Sequence, residues 1–115
     1  MAASLVVTNA TITHICNLNL DCVTFVITGQ IEDGRGDEDL ACAEYFEALL
    51  RGQKPNPASY IDRVYKSRDA LFHLDPNLPE FPKSDLDYCT NIDAFDFVML
   101  VTQENGRPVM RAIKP

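Results

Sequence analysis

The chain has 115 residues, 46% of them hydrophobic, and its 17 acidic and 10 basic side chains give a formal net charge of −7. This composition predicts a folded globular protein with one modest core, and it argues against a disordered chain. The negative charge argues against nucleic acid and anionic membranes as partners, because no basic patch is there to neutralise phosphates.

The N-terminus shows no charged stretch followed by the long apolar core of a signal peptide, and no apolar run approaches the ~20 residues that span a bilayer. No C-x-x-C pair occurs among the four cysteines, so a zinc ribbon or redox motif is not indicated. We therefore expect a cytoplasmic protein with reduced thiols.

The first part of the chain predicts strands around one short helix. The apolar, β-branched run at residues 5–7 predicts a strand end, and Asn9 is the candidate N-cap of the helix that follows. Residues 22–28 form a near-continuous apolar run, which is typical of a strand buried on both faces of a parallel sheet. A loop with three glycines leads from there to residue 36.

The strongest local prediction is a helix from about Asp37 to Arg51. Acidic residues begin it, an apolar stripe follows one face, and Gly52 suits its C-terminal end. Pro57 fits the first turn of a second helix, predicted over residues 57–72.

The end of the chain predicts a β-hairpin. Three prolines between residues 75 and 83 exclude regular helix, and Ser84 is the candidate N-cap of a short helix after them. Strands at residues 97–101 and 109–113 flank an Asn105-Gly106 turn. Together these elements predict a single α/β domain over residues 1–115, with a mostly parallel sheet and a C-terminal antiparallel hairpin.

Five carboxylates within eight positions are the main candidate for chemistry: Glu32, Asp33, Asp37, Glu38 and Asp39. Acids at a helix N-terminus stabilise the helix dipole by about 0.3–1 kcal/mol each. Alternatively, they bind a hard divalent cation such as Mg²⁺, which takes one or two carboxylates together with waters and substrate phosphate. The residues alone leave both interpretations open, and the spacing of an EF-hand is not met.

Cys42 follows this acidic turn and shares a helix face with Glu38 and Asp39. The positive helix end favours a thiolate and the acidic neighbours oppose one, so a buried apolar role is open beside a reactive one. Arg35 is the local cation available to bind an anionic substrate.

Several stretches then resemble a known family in the same order along the chain. They are Asn9-Ala10, Val26-Ile27-Thr28-Gly29, and the segments at residues 37–45 and 88–98. Together these stretches resemble the C-terminal half of the 2-phosphosulfolactate phosphatases, and the acidic pair followed by Cys-Ala is the most specific part.

The resemblance implies a layered α/β/α fold and Mg²⁺-dependent hydrolysis of the phosphate ester of a small 2-hydroxy acid, on the route to coenzyme M. Residue by residue, it implies metal binding by Glu38 and Asp39, and catalytic roles for Asp39 and Cys42. It also implies substrate binding by Asn9 and Gly29, beside the Arg35 candidate.

Two departures bear on function. The family typically has Cys-Ala-Gly where this chain has Ile27-Thr28-Gly29, and the family is about twice as long by ordinary domain size. We therefore expect either an incomplete phosphatase half, completed by a missing N-terminal half or by a homodimer partner, or a non-catalytic module that self-associates through an exposed apolar face.

Overall fold

The structure is a computed structural model that describes residues 1–28 and 36–115. The chain separates into two compact units, one formed by Met1–Cys22 with Asn91–Pro115 and the other by Val23–Thr90. Within the described residues there are five α-helices and one two-stranded antiparallel sheet, so the protein is mixed α/β as predicted. The prediction of a single domain stays a prediction.

The first unit contains the predicted hairpin. Strand β1 (Val98–Glu104) pairs antiparallel with strand β2 (Arg107–Ile113), with Val98 opposite Ile113. The two turn residues, Asn105 and Gly106, have φ angles of 50° and 75°. Two consecutive left-handed residues define the turn that matches strand twist, and Asn-Gly is the pair that adopts it at least cost. The hairpin prediction is confirmed, and both strands are longer than predicted.

The predicted N-terminal strand is wrong. Leu5–Val7 forms one turn of 3-10 helix, in which the Val7 amide donates to the Ser4 carbonyl at 3.1 Å. The Thr8 hydroxyl also donates to the Leu5 carbonyl, at 2.8 Å, and helix α1 (Thr8–Asn17) follows directly. Three apolar residues are fewer than a typical strand needs, and here their apolar character serves burial, since Leu5 and Val7 are buried.

The second unit is built around helices α2 (Asp37–Leu50) and α3 (Pro57–Tyr65). Gly52 has a φ of 74°, so it follows α2 in the left-handed conformation predicted for it. The Asn56 side chain caps α3 by accepting the Ala58 amide at 3.1 Å, with proline in the first turn. Phe46 of α2 is the largest side chain of the described chain that is fully buried.

The predicted helix over residues 57–72 is interrupted. Helix α3 ends at Tyr65, and a separate helix α4 (Ala70–Leu74) begins after a turn. Ser67 lies buried in that turn, and its hydroxyl accepts the Ala70 amide at 3.2 Å. A serine side chain that binds the backbone three residues ahead starts a new helix, and for that reason the apolar periodicity alone was misleading. Helix α5 (Lys83–Cys89) then follows, with Pro82 and not Ser84 at its N-cap.

The predicted strand at residues 22–28 is also not formed. The described part of this segment carries no strand assignment, and the sheet of the described residues is a two-stranded antiparallel hairpin. A strand requires a partner strand as well as β-branched side chains, and the described part of the chain supplies none to this segment. The mostly parallel sheet expected from the sequence is therefore absent from the described residues.

Candidate functional site

The candidate site lies at the N-terminus of α2, where three acidic residues occupy the first turn: Asp37, Glu38 and Asp39. Gly36 precedes them at the N-cap with a φ of 106°, a conformation that glycine adopts without the strain other residues would incur. Gly36 has no side chain with which to cap the helix, so the exposed amides of the first turn rely on other groups. The acidic turn was correctly predicted as the start of this helix.

The carboxylate of Asp39 binds the segment that precedes the glycine loop. Its Oδ2 atom accepts two hydrogen bonds from Thr28, one from the backbone amide at 3.1 Å and one from the hydroxyl at 2.6 Å. A charged acceptor strengthens both bonds. Asp39 therefore joins the end of residues 23–28 to the first turn of α2, and one of its two oxygens is already coordinated by protein donors.

Glu38 stands in a locally negative environment. Its partial burial raises the pKa of the carboxyl above its ordinary value of 4.5. The nearby charges of Asp69, Asp39 and Asp37 raise the pKa further, against a backbone hydrogen bond that lowers it. The folded protein therefore holds the Glu38 proton more tightly than the unfolded chain does. A bound cation would relieve the same repulsion.

Cys42 lies half-buried on α2, one turn beyond Glu38. On the same helix, Glu44 pairs with Arg63 of α3, and the ring of Tyr45 packs on that of Tyr60 at 5.0 Å between centroids. These contacts hold α2 against α3 beyond the acidic turn. The catalytic role predicted for Cys42 stays a prediction.

Asn9, predicted as a substrate ligand and as an N-cap, is the second residue of α1 and belongs to the first unit. The N-cap prediction is wrong, since Val7 occupies that position. The Asn9 backbone amide donates to Oδ1 of Asp93 at 2.6 Å. An anionic oxygen thus already binds the start of α1, as helix N-termini favour.

Two further predicted ligands, Gly29 and Arg35, lie outside the described residues, as do Glu32 and Asp33. Across residues 1–28 and 36–115, no group of three or more His, Cys, Asp or Glu side chains is arranged to hold a metal ion. The structure thus describes two predicted metal ligands, Glu38 and Asp39, side by side in one helical turn, without a third protein ligand among the residues it describes.

Three residues that bind or perturb predicted site residues, each within its own unit, were missed from sequence: Thr28, Asp69 and Asp93. Each binds or perturbs a predicted site residue that is distant along the chain. Asp69 was recognisable as an acidic residue in a polar stretch that interrupts an apolar stripe. No local signal marked it as a neighbour of Glu38, because that proximity depends on how the helices pack.

Two pockets of the second unit are lined by described residues, and neither includes the acidic turn. One, of about 350 Å³, lies in the proline-rich segment between His73 and Lys83. The other, of about 270 Å³, lies between α2 and α3 beside Glu47 and Arg51. Neither supplies a described cavity for the predicted substrate at Glu38 and Asp39.

The searched part of the chain, residues 1–28 and 36–115, has no helix with the length and apolar character that a membrane crossing needs. No protein-family model matches the sequence, and no solved structure matches it. A curated relative does match: the protein named "Probable 2-phosphosulfolactate phosphatase" in Bacillus subtilis (strain 168) is 33% identical over 94 residues.

This match shows that most of the chain is similar to a phosphatase-like protein. More particularly, the similarity is to the 2-phosphosulfolactate phosphatase family, as the resemblance predicted. The match covers 81% of this chain and 40% of the relative, so the chain spans less than half the length of the curated protein that it matches.

Proposed function

We propose that this chain contributes the acidic part of a Mg²⁺-dependent phosphatase that hydrolyses the phosphate monoester of a small 2-hydroxy acid, with 2-phosphosulfolactate as the first candidate substrate. The observation that carries the proposal is the acidic first turn of α2, in a chain that is similar to a relative named for this activity. We place the activity in the cytoplasm and, with that substrate, on the route to coenzyme M.

The donors of this turn fit a magnesium ion in their chemistry. Mg²⁺ prefers oxygen ligands and is commonly bound by one or two carboxylates, with waters and phosphate oxygens completing its shell. Glu38 and Asp39 supply two such carboxylates; the pKa of Glu38 is raised first by burial and then by the charges of neighbouring acids, and a cation would offset those charges. Since Oδ2 of Asp39 already binds Thr28, Glu38 is the more available of the two ligands.

The remaining predicted residues take supporting roles in this proposal. When bound, Mg²⁺ neutralises charge on the phosphoryl group and polarises its oxygens. Asp39 binds Thr28 through Oδ2 and acts beside Cys42 at the reacting centre. Asn9, Gly29 and Arg35 bind phosphate or carboxylate oxygens of the substrate.

A net charge of −7 makes added positive charge necessary for a dianionic ester to bind. Arg63 is already paired with Glu44, so it is not a ready phosphate ligand. We therefore propose that the rest of the family fold, or a second copy of this chain, supplies further cationic groups. The layered α/β/α architecture with a mostly parallel sheet belongs to that complete assembly.

A second candidate function is a non-catalytic module. It is favoured by the Asp39–Thr28 bonds, which give this carboxylate a structural role, and by the lack of a three-ligand metal group among residues 1–28 and 36–115. In this case the acidic turn stabilises α2 through the helix dipole, and no residue of the described chain binds a metal ion.

A Mg²⁺ titration of the intact chain separates the two functions. We expect a saturable increase in Tm with MgCl₂, because a ligand that binds only the folded state stabilises it by mass action. Glu38→Gln should abolish the increase. Asp85→Asn is the matched control, since Asp85 is an acid in the first turn of α5.

The control should retain the full Mg²⁺ response. An equal loss in Asp85→Asn would reveal only general charge screening. If the wild-type Tm did not respond to Mg²⁺ and the chain formed a stable dimer, the non-catalytic module would replace the phosphatase proposal.

A further inference from the structure

Burial alternates along residues 23–28, which belong to the second unit. Val23, Phe25 and Ile27 are half-buried, and Thr24 and Val26 are exposed. The Phe25 ring meets the buried Phe46 ring edge-on, with centroids 6.3 Å apart. Asp39 holds the far end through Thr28, so the segment is fixed on one side.

On the exposed side of the segment, Val26 lies between two threonines, Thr24 and Thr28. Val26 is 80% exposed, the highest exposure among the large hydrophobic residues of the described chain. A run of β-branched and aromatic residues such as this one is typical of a strand buried on both faces. Only one of those two faces is covered by the described chain.

The backbone of the segment is similarly incomplete. No backbone hydrogen bond joins residues 23–27 to another segment within residues 1–28 and 36–115. An extended chain with unpaired amides and carbonyls is a template for the addition of a strand. Within the described residues, the backbone therefore lacks a paired strand and the Val26 side chain lacks a covering layer.

The family relationship indicates which polypeptide that neighbour belongs to. More than half of the Bacillus subtilis relative lies outside the region that this chain matches. We propose that residues 23–28 form a docking edge that accepts a β-strand from that remaining part of a family protein, with apolar side chains covering Val26. This proposal rests on the similarity to that relative and is independent of the proposed reaction.

Hydrogen exchange on two intact proteins tests the docking edge. In this chain, the amides of residues 23–27 should exchange quickly at every protein concentration. In the full-length relative, the aligned amides should exchange at least about a hundredfold more slowly, because they are paired within a sheet. Fast exchange in both proteins would overturn the proposal, and so would slow exchange in this chain when dilute.

Protection that appears in this chain only as its concentration rises would also overturn it, by identifying a second copy as the occupant. A failure of the phosphatase proposal would leave these rates unchanged, since they depend on strand pairing and not on Mg²⁺. The two proposals therefore fail in different measurements.

A substitution gives a second readout. Val26→Asp should change the Tm of this chain by less than about 2 °C, because the side chain is exposed. The same change at the aligned position of the relative should lower its Tm by at least about 5 °C, since a carboxylate would then be buried without a partner. Leu71→Asp is the control: Leu71 is 60% exposed on α4, and the change should be mild in both proteins. Equal effects of the Val26 change in the two proteins would contradict the docking edge.

Discussion

The two hydrogen bonds between Asp39 and Thr28 give the sharpest prediction. Thr28→Val keeps the shape and the β-branch of the side chain but removes the hydroxyl, which donates to Oδ2 at 2.6 Å. Hydrogen bonds to charged groups contribute about 1.5–3 kcal/mol, and neutral ones about 0.5–1.5 kcal/mol. Because this bond is exposed, we expect the loss of about 1 kcal/mol of unfolding free energy.

The measurement is urea unfolding followed by far-UV circular dichroism. A loss of about 1 kcal/mol corresponds to a fall of roughly 4 °C in Tm for a chain of this size. Thr24→Val is the matched control, since Thr24 is an exposed threonine of the same segment. It should change the unfolding free energy by less than about 0.5 kcal/mol.

A double-mutant cycle with Asp39→Asn attributes the effect to the pair. Residues in direct contact couple by about 0.5–3 kcal/mol, and we expect about 0.5–1 kcal/mol here because of exposure. If Thr28→Val matched the Thr24→Val control, and if its effect simply added to that of Asp39→Asn, the carboxylate would not be holding this segment in solution. The structural role assigned to Asp39 would then be refuted.

Three further changes test other features. Because the folded-state pKa of Glu38 is raised, ionisation of this group lowers the stability of the wild-type protein as the pH rises above 4.5. Glu38→Gln should therefore stabilise the protein at pH 7 and have little effect below pH 4.5. Tm measured across this pH range checks both results. An unchanged Tm at pH 7 would contradict the cost of burying a charged Glu38 carboxylate beside other acids. Gly106→Ala should lower the free energy of unfolding in urea by about 1 kcal/mol, because alanine is strained at a φ of 75° although no atom lies near an added Cβ. A neutral result would mean that the turn has another conformation. Phe46→Ala should cost about 3–5 kcal/mol in the same assay, since the ring is fully buried, and a loss under 1 kcal/mol would mean that Phe46 is not in the core.

Features encoded by local sequence were predicted well. Acids before an apolar stripe and a glycine after it predicted α2 to within one residue of its end, and Asn105-Gly106 predicted the hairpin turn. In both cases neighbouring residues determine the backbone conformation, through helix-end electrostatics for α2 and through positive φ for the turn.

Features that depend on distant partners were not predictable in this way. The run at residues 22–28 has strand composition, but pairing needs a second strand, and the described chain contributes none. Ser67 interrupted a predicted helix because its hydroxyl binds the Ala70 amide, an interaction that competes with helical periodicity.

The same difference between local and distant interactions applies to the candidate site. That Glu38 and Asp39 share the first turn of a helix followed from spacing. That Asp39 binds Thr28 and that Glu38 lies near Asp69 depended on the packing of segments 11 and 31 residues apart, for which no local pattern exists.

The Asp93 carboxylate at the start of α1 has a consequence for anion binding by the first unit. Asp93 has a φ of 58°, and its own amide donates to the Leu5 carbonyl at 3.1 Å, so the backbone keeps this carboxylate next to the Asn9 amide. A tethered anion of this kind is present at an effective concentration that free phosphate rarely matches, by analogy with linked binding groups. A phosphate can bind the Asn9 amide only by displacing the Asp93 carboxylate. Asp93→Ala would remove that carboxylate and leave the amide accessible to phosphate.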